Sequence, residues 1–377
     1  MPSLTSDELA RYARQISLPQ IGPKGQEMLA RASVLLIGAG GLGSPASLYL
    51  AAAGVGRIGI ADGDVVDASN LHRQVLHSTA TVGESKVDSA RERLTSLNPH
   101  VRIETFRSTV TSQNVRELME AYDLVLDGSD NFPTRYLVND AAVLLGKTNI
   151  YGSVFRFDGQ ASVFAPGEGP CYRCLYPDPP PPGTVPSCEE GGVLGVVPGI
   201  IGMIQATEAV KRILGIGTNL IGRLLLFDAL QMRFREIRIA RVATCPVCGE
   251  RPTITSLVDY ERVCGPGEET MLNSATITPS DLAERLRKGE NIRLIDCREQ
   301  WEWDMGHIEK AELIPAGKLA RDVSGFSPVE EIVVYCRSGA RSGQVVSIMR
   351  SAGLNAKNML GGILRWSHDV DPSMPRY

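Results

Sequence analysis

Histidine is scarce in this chain, five in 377 residues, and none stands in a recognisable hydride-transfer setting. An excess of positive charge is missing as well: 39 Lys and Arg face 43 Asp and Glu, a net charge of −4, so no basic footprint points to nucleic acid. Long hydrophobic runs are absent. The most apolar stretch, residues 192–204, is short and broken by glycines and Pro198, which excludes a membrane span. The first residues, MPSLTSDELARYARQ, hold no apolar core, so no secretory signal is expected and the chain is read as cytoplasmic, with no membrane partner. No long repeat is found. The composition, 43% hydrophobic and 22% charged, is that of an ordinary globular protein, and the length predicts two or three domains. Cysteine is present in quantity: there are eight, and four of them make two C-x-x-C pairs, which points to metal rather than disulfides in a chain without an export signal.

Thr5 and Glu8 have capping-box spacing, which predicts a helix running past Arg14, and a second short helix is expected near Lys24 to Arg31. SVLLIGAGGLGSPASLYLAAAG then reads as strand, tight turn and helix. RIGIAD, VRIETF and DLVLDGSD read as strands and KVDSARERLTSL as an amphipathic helix. This alternation predicts an α/β fold with a doubly wound, mostly parallel sheet. YPDPPPPGTVPSC is too rich in proline for a helix or a central strand, and a helix near residues 199–214 follows it, with Pro198 at its first turn. A polar Gly/Pro stretch near residues 265–279 marks a boundary. The expected division is a first domain over 1–265, a linker over 266–278 and a small α/β domain over 279–377.

Gly38, Gly40 and Gly43 satisfy G-x-G-x-x-G between strand and helix, with Asp62 about twenty residues on. Such glycines let phosphates approach a helix N-terminus, and the acid holds a ribose hydroxyl. The bland reading, a turn that only packs helix on strand, is disfavoured by this context. The motif alone does not separate NAD from ATP. Asn70, Arg73 and Lys86 follow, and cations beside a phosphate site suit a triphosphate and its pyrophosphate leaving group. Asp130 ends a strand, where a carboxylate can hold Mg²⁺ beside phosphates. Singly, each of these is an ordinary surface charge.

GAGGLGSP, IADGDVVDASNLHRQ, GESK and DGSDN together resemble the adenylating enzymes that activate ubiquitin-like proteins, over about residues 5–264. Bacterial members activate the sulfur carriers of molybdopterin and thiamine biosynthesis. The resemblance implies that ATP and Mg²⁺ adenylate the C-terminal glycine of a small carrier ending in Gly-Gly, with release of pyrophosphate. It implies an ATP site of Gly41, Asp62, Ser69, Asn70, Arg73, Lys86, Asp130 and Asn131. Arg14, within RYARQISLPQIG, matches an arginine given across a homodimer interface, so the resemblance also implies a homodimer.

Cys171-x-x-Cys174 and Cys245-x-x-Cys248 each make one knuckle that suits tetrahedral Zn²⁺, if the fold brings them together. Redox or plain core cysteines are the alternatives, and the resemblance agrees with a structural zinc. Cys188 stands alone after the proline loop. Its residue context leaves it balanced between an inert residue and a nucleophile, with Glu189 and Glu190 opposing a thiolate. In the resembling family its counterpart can link covalently to the activated carrier, so Cys188 is taken as catalytic.

Cys336 sits in VVYCRSGARSG between a strand and a helix, where backbone N–H groups and a helix N-terminus stabilise an anionic sulfur, and Arg337 and Arg341 add positive charge. Cysteine phosphatases typically have C-x5-R. The spacing here is C-x4-R, a shorter loop that suits an added sulfur atom. With LIDCREQWEWDMGHI and NMLGGILRW, the segment of about residues 275–370 resembles single-domain rhodaneses, in which this cysteine cycles through a persulfide. One departure is Cys297, where an apolar residue is more usual; it is expected to be buried and inert.

The combined expectation is a fused adenylyltransferase and sulfurtransferase that makes a carrier thiocarboxylate for molybdopterin, thiamine or tRNA thiolation. Thiosulfate or a cysteine desulfurase would supply sulfur, and a thiol such as Cys188 would resolve the acyl persulfide. The alternatives are a nicotinamide-dependent oxidoreductase with a rhodanese appendage, a non-enzymatic scaffold, and a modifier-activating enzyme for protein conjugation.

Overall fold

A computed structural model describes residues 4–180, 191–258, 260 and 275–375. Cys188 and most of the expected linker lie outside the described residues. The described residues fall into two compact units, one ending at Tyr260 and one from Ala275 onward.

The first unit is built on strands β1 (Ser33–Ile37), β2 (Arg57–Ala61), β3 (Arg102–Phe106), β4 (Leu124–Asp127), β5 (Thr148–Phe155), β6 (Asp158–Phe164), β7 (Arg223–Asp228) and β8 (Arg233–Arg238), in the sheet order β3-β2-β1-β4-β5-β6-β7-β8. The pairs from β3 to β5 are parallel, and those from β5 to β8 antiparallel. β1 and β4 are buried at every position, as parallel strands covered on both faces must be. Alternate residues feed two cores. Leu36 and Leu126 pack with Leu50 and Ile201 from the helices Gly43–Ala53 and Val196–Leu214, while Leu35 and Val125 pack with Tyr136 from the helix Phe132–Leu145.

The capping box forms, with the Glu8 amide donating to Thr5 Oγ1, but the first helix stops at Arg11 and a separate turn over Ala13–Ile16 carries Arg14. The helix expected from Lys24 spans Gly22–Arg31, and the one near Pro198 spans Val196–Leu214. β5 through β8 lie outside the strands expected from the sequence. β8 is exposed at all six positions, so it shows no apolar alternation. β5 carries Gly152 because a Cβ there would meet the Gln205 side chain at 2.5 Å.

The second unit has strands β9 (Thr276–Ile277), β10 (Ile292–Asp296), β11 (Glu312–Leu313), β12 (Glu331–Tyr335) and β13 (Asn355–Met359), all parallel, in the order β11-β10-β12-β13-β9. β9 falls inside the stretch expected as linker. Thr278 caps the helix Pro279–Arg287 by accepting from the Asp281 amide, so residues 276–278 belong to this unit. Among the described residues no helix is long and apolar enough to cross a membrane.

The turn after β1 sets the first unit's geometry. Gly38 has φ of +96°, and a Cβ on Gly43 would stand 2.0 Å from the Gly38 carbonyl oxygen. Gly43→Ala is therefore expected to cost about 1–3 kcal/mol by overpacking, read by chemical denaturation, and to weaken ATP binding. Unchanged stability together with unchanged ATP affinity would contradict this geometry.

Candidate functional site

Parallel strands deliver their following loops to one edge of the sheet. At that edge of the first unit, the ends of β1, β2 and β4 enclose a cleft with about 620 Å³ of empty space, lined by residues that include Gly40, Asp62, Lys86, Asp130 and Asn131. Asp62 directly follows β2 and is fixed by two amides, Ala39 N at 2.8 Å and Asp64 N at 2.9 Å. It thereby ties the glycine turn to the neighbouring strand. Lys86 begins the helix Lys86–Leu97 and is buried; its Nζ lies 2.7 Å from Asp64 Oδ2, a largely exposed carboxylate. Asn131 Oδ1 accepts from the Thr134 amide at 2.9 Å and so caps the helix Phe132–Leu145. Asp130 stands exposed on the rim.

A second cleft shares Gly40, Gln74, Gly128, Ser129 and Asp130 with the first and adds Gly41, Arg73 and Arg135. Arg73 donates to Asn70 Oδ1 at 2.5 Å. Ser69 donates through its amide and hydroxyl to Asp67 Oδ1, shaping the turn Ala68–Asn70 beside this cleft. Seven of the eight residues in the expected ATP set thus line the clefts or bond to a lining residue, and Ser69 lies in the adjoining turn. Arg14 is different: it is exposed and lines neither cleft of its own chain.

Several residues at this edge have roles that the motif spacing does not assign. His77 sets its ring between Ala39 O and Ser89 Oγ, both at 3.0 Å, and burial holds its pKa below the usual value. Asp127 is fully buried. Its Oδ1 accepts from the Ser129 amide and hydroxyl, its Oδ2 has no partner among the described residues, and burial pushes its carboxyl upward against the pull of Arg135. Gln74 is buried and borders both clefts.

The two C-x-x-C knuckles meet. All four sulfurs lie within 4.8 Å of one another, with Cys171 3.6 Å from Cys245 and Cys174 3.4 Å from Cys248. Zn–S bonds of about 2.3 Å in a tetrahedron put sulfurs about 3.8 Å apart, so this donor set fits a zinc-sized ion. The first knuckle is anchored from behind. The Tyr172 amide donates to Asn139 Oδ1, and the Arg173 guanidinium pairs with buried Asp140, both acceptors lying on the helix Phe132–Leu145.

In the second unit Cys336 directly follows β12 and is 1% exposed. Gly339, at φ +98°, turns the chain into the helix Ala340–Ser351 and aims its own amide at Cys336 Sγ at 3.1 Å, with Ser342 Oγ at 3.4 Å. The thiol is pulled down to about 5, foremost by an S–H hydrogen bond from Cys297, then by Ser342 and the Gly339 amide, against the opposing effect of burial. Arg341 is half-buried and grips Glu302 through both carboxylate oxygens at 2.8 and 2.6 Å. Behind the loop, Asp296 and Arg298 form an ion pair with both side chains fully buried. Glu302 and this pair are further residues that the spacing rules do not reveal.

A thiol lowered this far is deprotonated above its midpoint, so its reactivity should rise from acid and then level. Alkylation of Cys336 by iodoacetamide, followed by peptide mass spectrometry, is expected to climb through a midpoint near pH 5 and to be flat at neutral pH. A midpoint near the ordinary thiol value of about 8.5 would contradict the described environment.

Residues 12–247 match the ThiF family, and residues 278–369 match the rhodanese-like domain. The chain is 48% identical over 386 residues to the probable adenylyltransferase/sulfurtransferase MoeZ of Mycobacterium tuberculosis, covering 100% of this chain and 97% of that protein. It is 43% identical to the adenylyltransferase and sulfurtransferase MOCS3 of Anopheles gambiae, covering 99% and 90%. The sulfur carrier protein adenylyltransferase of Thermus thermophilus is 58% identical over 69% of this chain and 98% of its own length. Among solved structures, E. coli MccB with ATP shares the fold at TM-score 0.56 and 21% identity, covering 63% of this chain and 74% of that one. The fold, the two sites and these likenesses converge: the chain belongs to the ThiF family and joins an adenylyltransferase to a rhodanese-like sulfurtransferase.

Proposed function

We propose that the enzyme uses ATP to adenylate the C-terminal carboxylate of a ubiquitin-like sulfur-carrier protein ending in Gly-Gly, and that Cys336, carrying a persulfide, turns the acyl-adenylate into a thiocarboxylate. The observation that carries this reading is the presence on one chain of a glycine-turn site whose clefts are lined by Lys86 and Arg73 and a separate sulfur loop with a lowered thiol.

In the first step a carboxylate oxygen of the carrier attacks the α-phosphorus of ATP and pyrophosphate leaves. Asp62 is assigned to the ribose, in the place an acid takes after the second strand of a dinucleotide fold. Lys86 and Arg73 are assigned to the phosphates, and Asn70 positions Arg73. Gly41 lets the phosphates approach, Ser69 shapes the adjoining turn, and Asn131 fixes the helix start beside Asp130. Asp130 is the carboxylate that would hold Mg²⁺, whose charge would offset that of the phosphates. Exposed Arg14 is assigned to the nucleotide of a second copy, which makes the enzyme a homodimer.

In the second step the terminal sulfur of the Cys336 persulfide attacks the acyl carbon and AMP leaves. The Gly339 amide and the Ser342 hydroxyl hold Cys336 Sγ, to which the outer sulfur is bonded, and Arg337 and Arg341 supply charge at the loop. Cys171, Cys174, Cys245 and Cys248 would hold Zn²⁺ as a staple between two chain segments. Cys188, outside the described residues, is assigned a covalent role on the family resemblance. The cytoplasm is the assigned compartment, and thiosulfate or a desulfurase-borne persulfide is the assigned donor. The catalytic division is 1–265 and 279–377, with a linker of which the described part, 275–278, packs with the second unit.

Lys86→Ala and Asp130→Ala are each expected to lower carrier-dependent ATP–pyrophosphate exchange by about 100-fold or more. Cys336→Ala should keep the exchange and lose thiocarboxylate formation. Full sulfur transfer by Cys336→Ala, with no other sulfurtransferase or sulfide present, would overturn this reading. Metal analysis should find one zinc per chain, lost with a fall in thermal stability when Cys245→Ser and Cys248→Ser are combined. A metal-free wild-type protein of equal stability would refute the staple.

A further inference from the structure

Cys297 is the one cysteine among the described residues that neither the adenylation site, the zinc cluster nor the persulfide position employs. It is 0% exposed and directly follows β10, as Cys336 directly follows β12. The two strands pair in parallel with Asp296 opposite Tyr335, and the ladder continues one step, from the Cys297 amide to the Tyr335 carbonyl at 2.9 Å. Cys297 and Cys336 are therefore next in register, point to the same face, and share one buried cluster with Ile295 and Val334. Each thiol shifts the other: Cys297 helps to hold the Cys336 thiol down, and Cys336 together with burial holds the Cys297 thiol up. Neighbouring strands stand about 4.8 Å apart, inside the Cα separation of about 4.4–6.8 Å that a disulfide bridges without moving the backbone.

We propose that Cys297 is the resolving thiol of the sulfur transfer: it attacks Cys336 Sγ in the acyl persulfide, forms the Cys297–Cys336 disulfide and expels the carrier thiocarboxylate. The inference rests on the proposed function and deepens it. The balance is complete. Cys297–SH and Cys336–S–S–C(O)–carrier give Cys297–S–S–Cys336 and carrier–C(O)SH. One S–S bond forms and one breaks, and the thiol proton leaves with the thiocarboxylic acid, which ionises on reaching water. The Cys297 sulfur is oxidised from thiol to disulfide level, the Cys336 sulfur stays at disulfide level, and the transferred sulfur leaves with the electron pair of the broken S–S bond and is reduced to thiol level. An external dithiol reductant then reopens the disulfide for the next persulfide.

The local chemistry sets the order of events. While Cys336 is a free thiolate, its pull on the Cys297 proton together with burial holds the Cys297 thiol well above its ordinary value, so it does not react early. When Cys336 is tied up in a neutral acyl persulfide, its negative charge is gone; burial and Asp296 still oppose a Cys297 thiolate and Arg341 favours it. The attack is therefore easier once its target has formed than before.

Two measurements on the full-length protein test this. In a single turnover with a Gly-Gly-ended carrier, ATP and persulfide-loaded enzyme but no added thiol, the wild type should release thiocarboxylate and show a stoichiometric Cys297–Cys336 disulfide in peptide mass spectra. Cys297→Val, an apolar filling of the same core site, should keep ATP–pyrophosphate exchange, and because Cys297 also lowers the Cys336 thiol it is compared with the wild type at equal persulfide occupancy of Cys336, fixed by mass spectrometry before carrier is added. It should hold the carrier covalently on Cys336 until dithiothreitol is added, with thiol-free release down at least tenfold. Release by Cys297→Val at the wild-type rate, or a disulfide that joins Cys336 to Cys188, would overturn the inference. The second measurement needs no carrier. With 4,4′-dithiodipyridine, the wild type should pass from a mixed disulfide on Cys336 to the Cys297–Cys336 disulfide, whereas Cys297→Val should stop at the mixed disulfide. A wild-type mixed disulfide that persists would refute the role of Cys297, whatever the exchange assay says of the adenylation step.

Discussion

The constraint on which both units depend is that a parallel strand must be left at its carboxyl end. Every loop that follows a parallel strand then emerges at one edge of the sheet, beside the loops of its neighbours. In the first unit this places the glycine turn after β1, Asp62 after β2 and Asp130 after β4 around one cleft, and the Asp62 bond to the Ala39 amide joins two of those ends directly. In the second unit it sets Cys297 beside Cys336.

The two sites also handle charge in a common way. Buried cations need counter-charges, because an unpaired ion in a protein interior is costly. Lys86 is held by Asp64 and Arg341 by Glu302, so each cation is already fixed in place before a phosphate or an anionic sulfur arrives. The fully buried Asp296 and Arg298, on either side of Cys297 in the chain, neutralise each other on the same principle. The Cys336 thiolate is stabilised by donors rather than by an ion pair: a thiol, a hydroxyl and a backbone amide.

What was legible in the sequence followed from local rules. SVLLI followed by a glycine turn, the two C-x-x-C pairs, the Thr5/Glu8 capping box and the C-x4-R loop each carry their geometry in a few adjacent residues. The meeting of Cys171 with Cys245 was foreseen as a requirement of the zinc reading and depends on the fold to deliver it. What stayed hidden depended on distant packing. β8 lacks alternation because it is an exposed strand, and β5 contains a glycine because a helix presses on it. Asp127 works through burial, and His77 and Glu302 through partners 38 and 39 positions away, which spacing cannot express. Cys297 read as an inert core residue because its partner lies 39 positions further along the chain and meets it only through strand register.

The central claim is that one chain both activates a carboxylate and supplies the sulfur that replaces its oxygen. Its most direct test gives the enzyme ATP, a Gly-Gly-ended carrier and thiosulfate labelled at the outer sulfur, and follows the label by intact-mass measurement. The account predicts label first on Cys336 and then at the carrier's C-terminus, with one oxygen exchanged for one sulfur and one AMP formed per transfer. A carrier that gains AMP and never sulfur, or gains labelled sulfur without ATP, would contradict it.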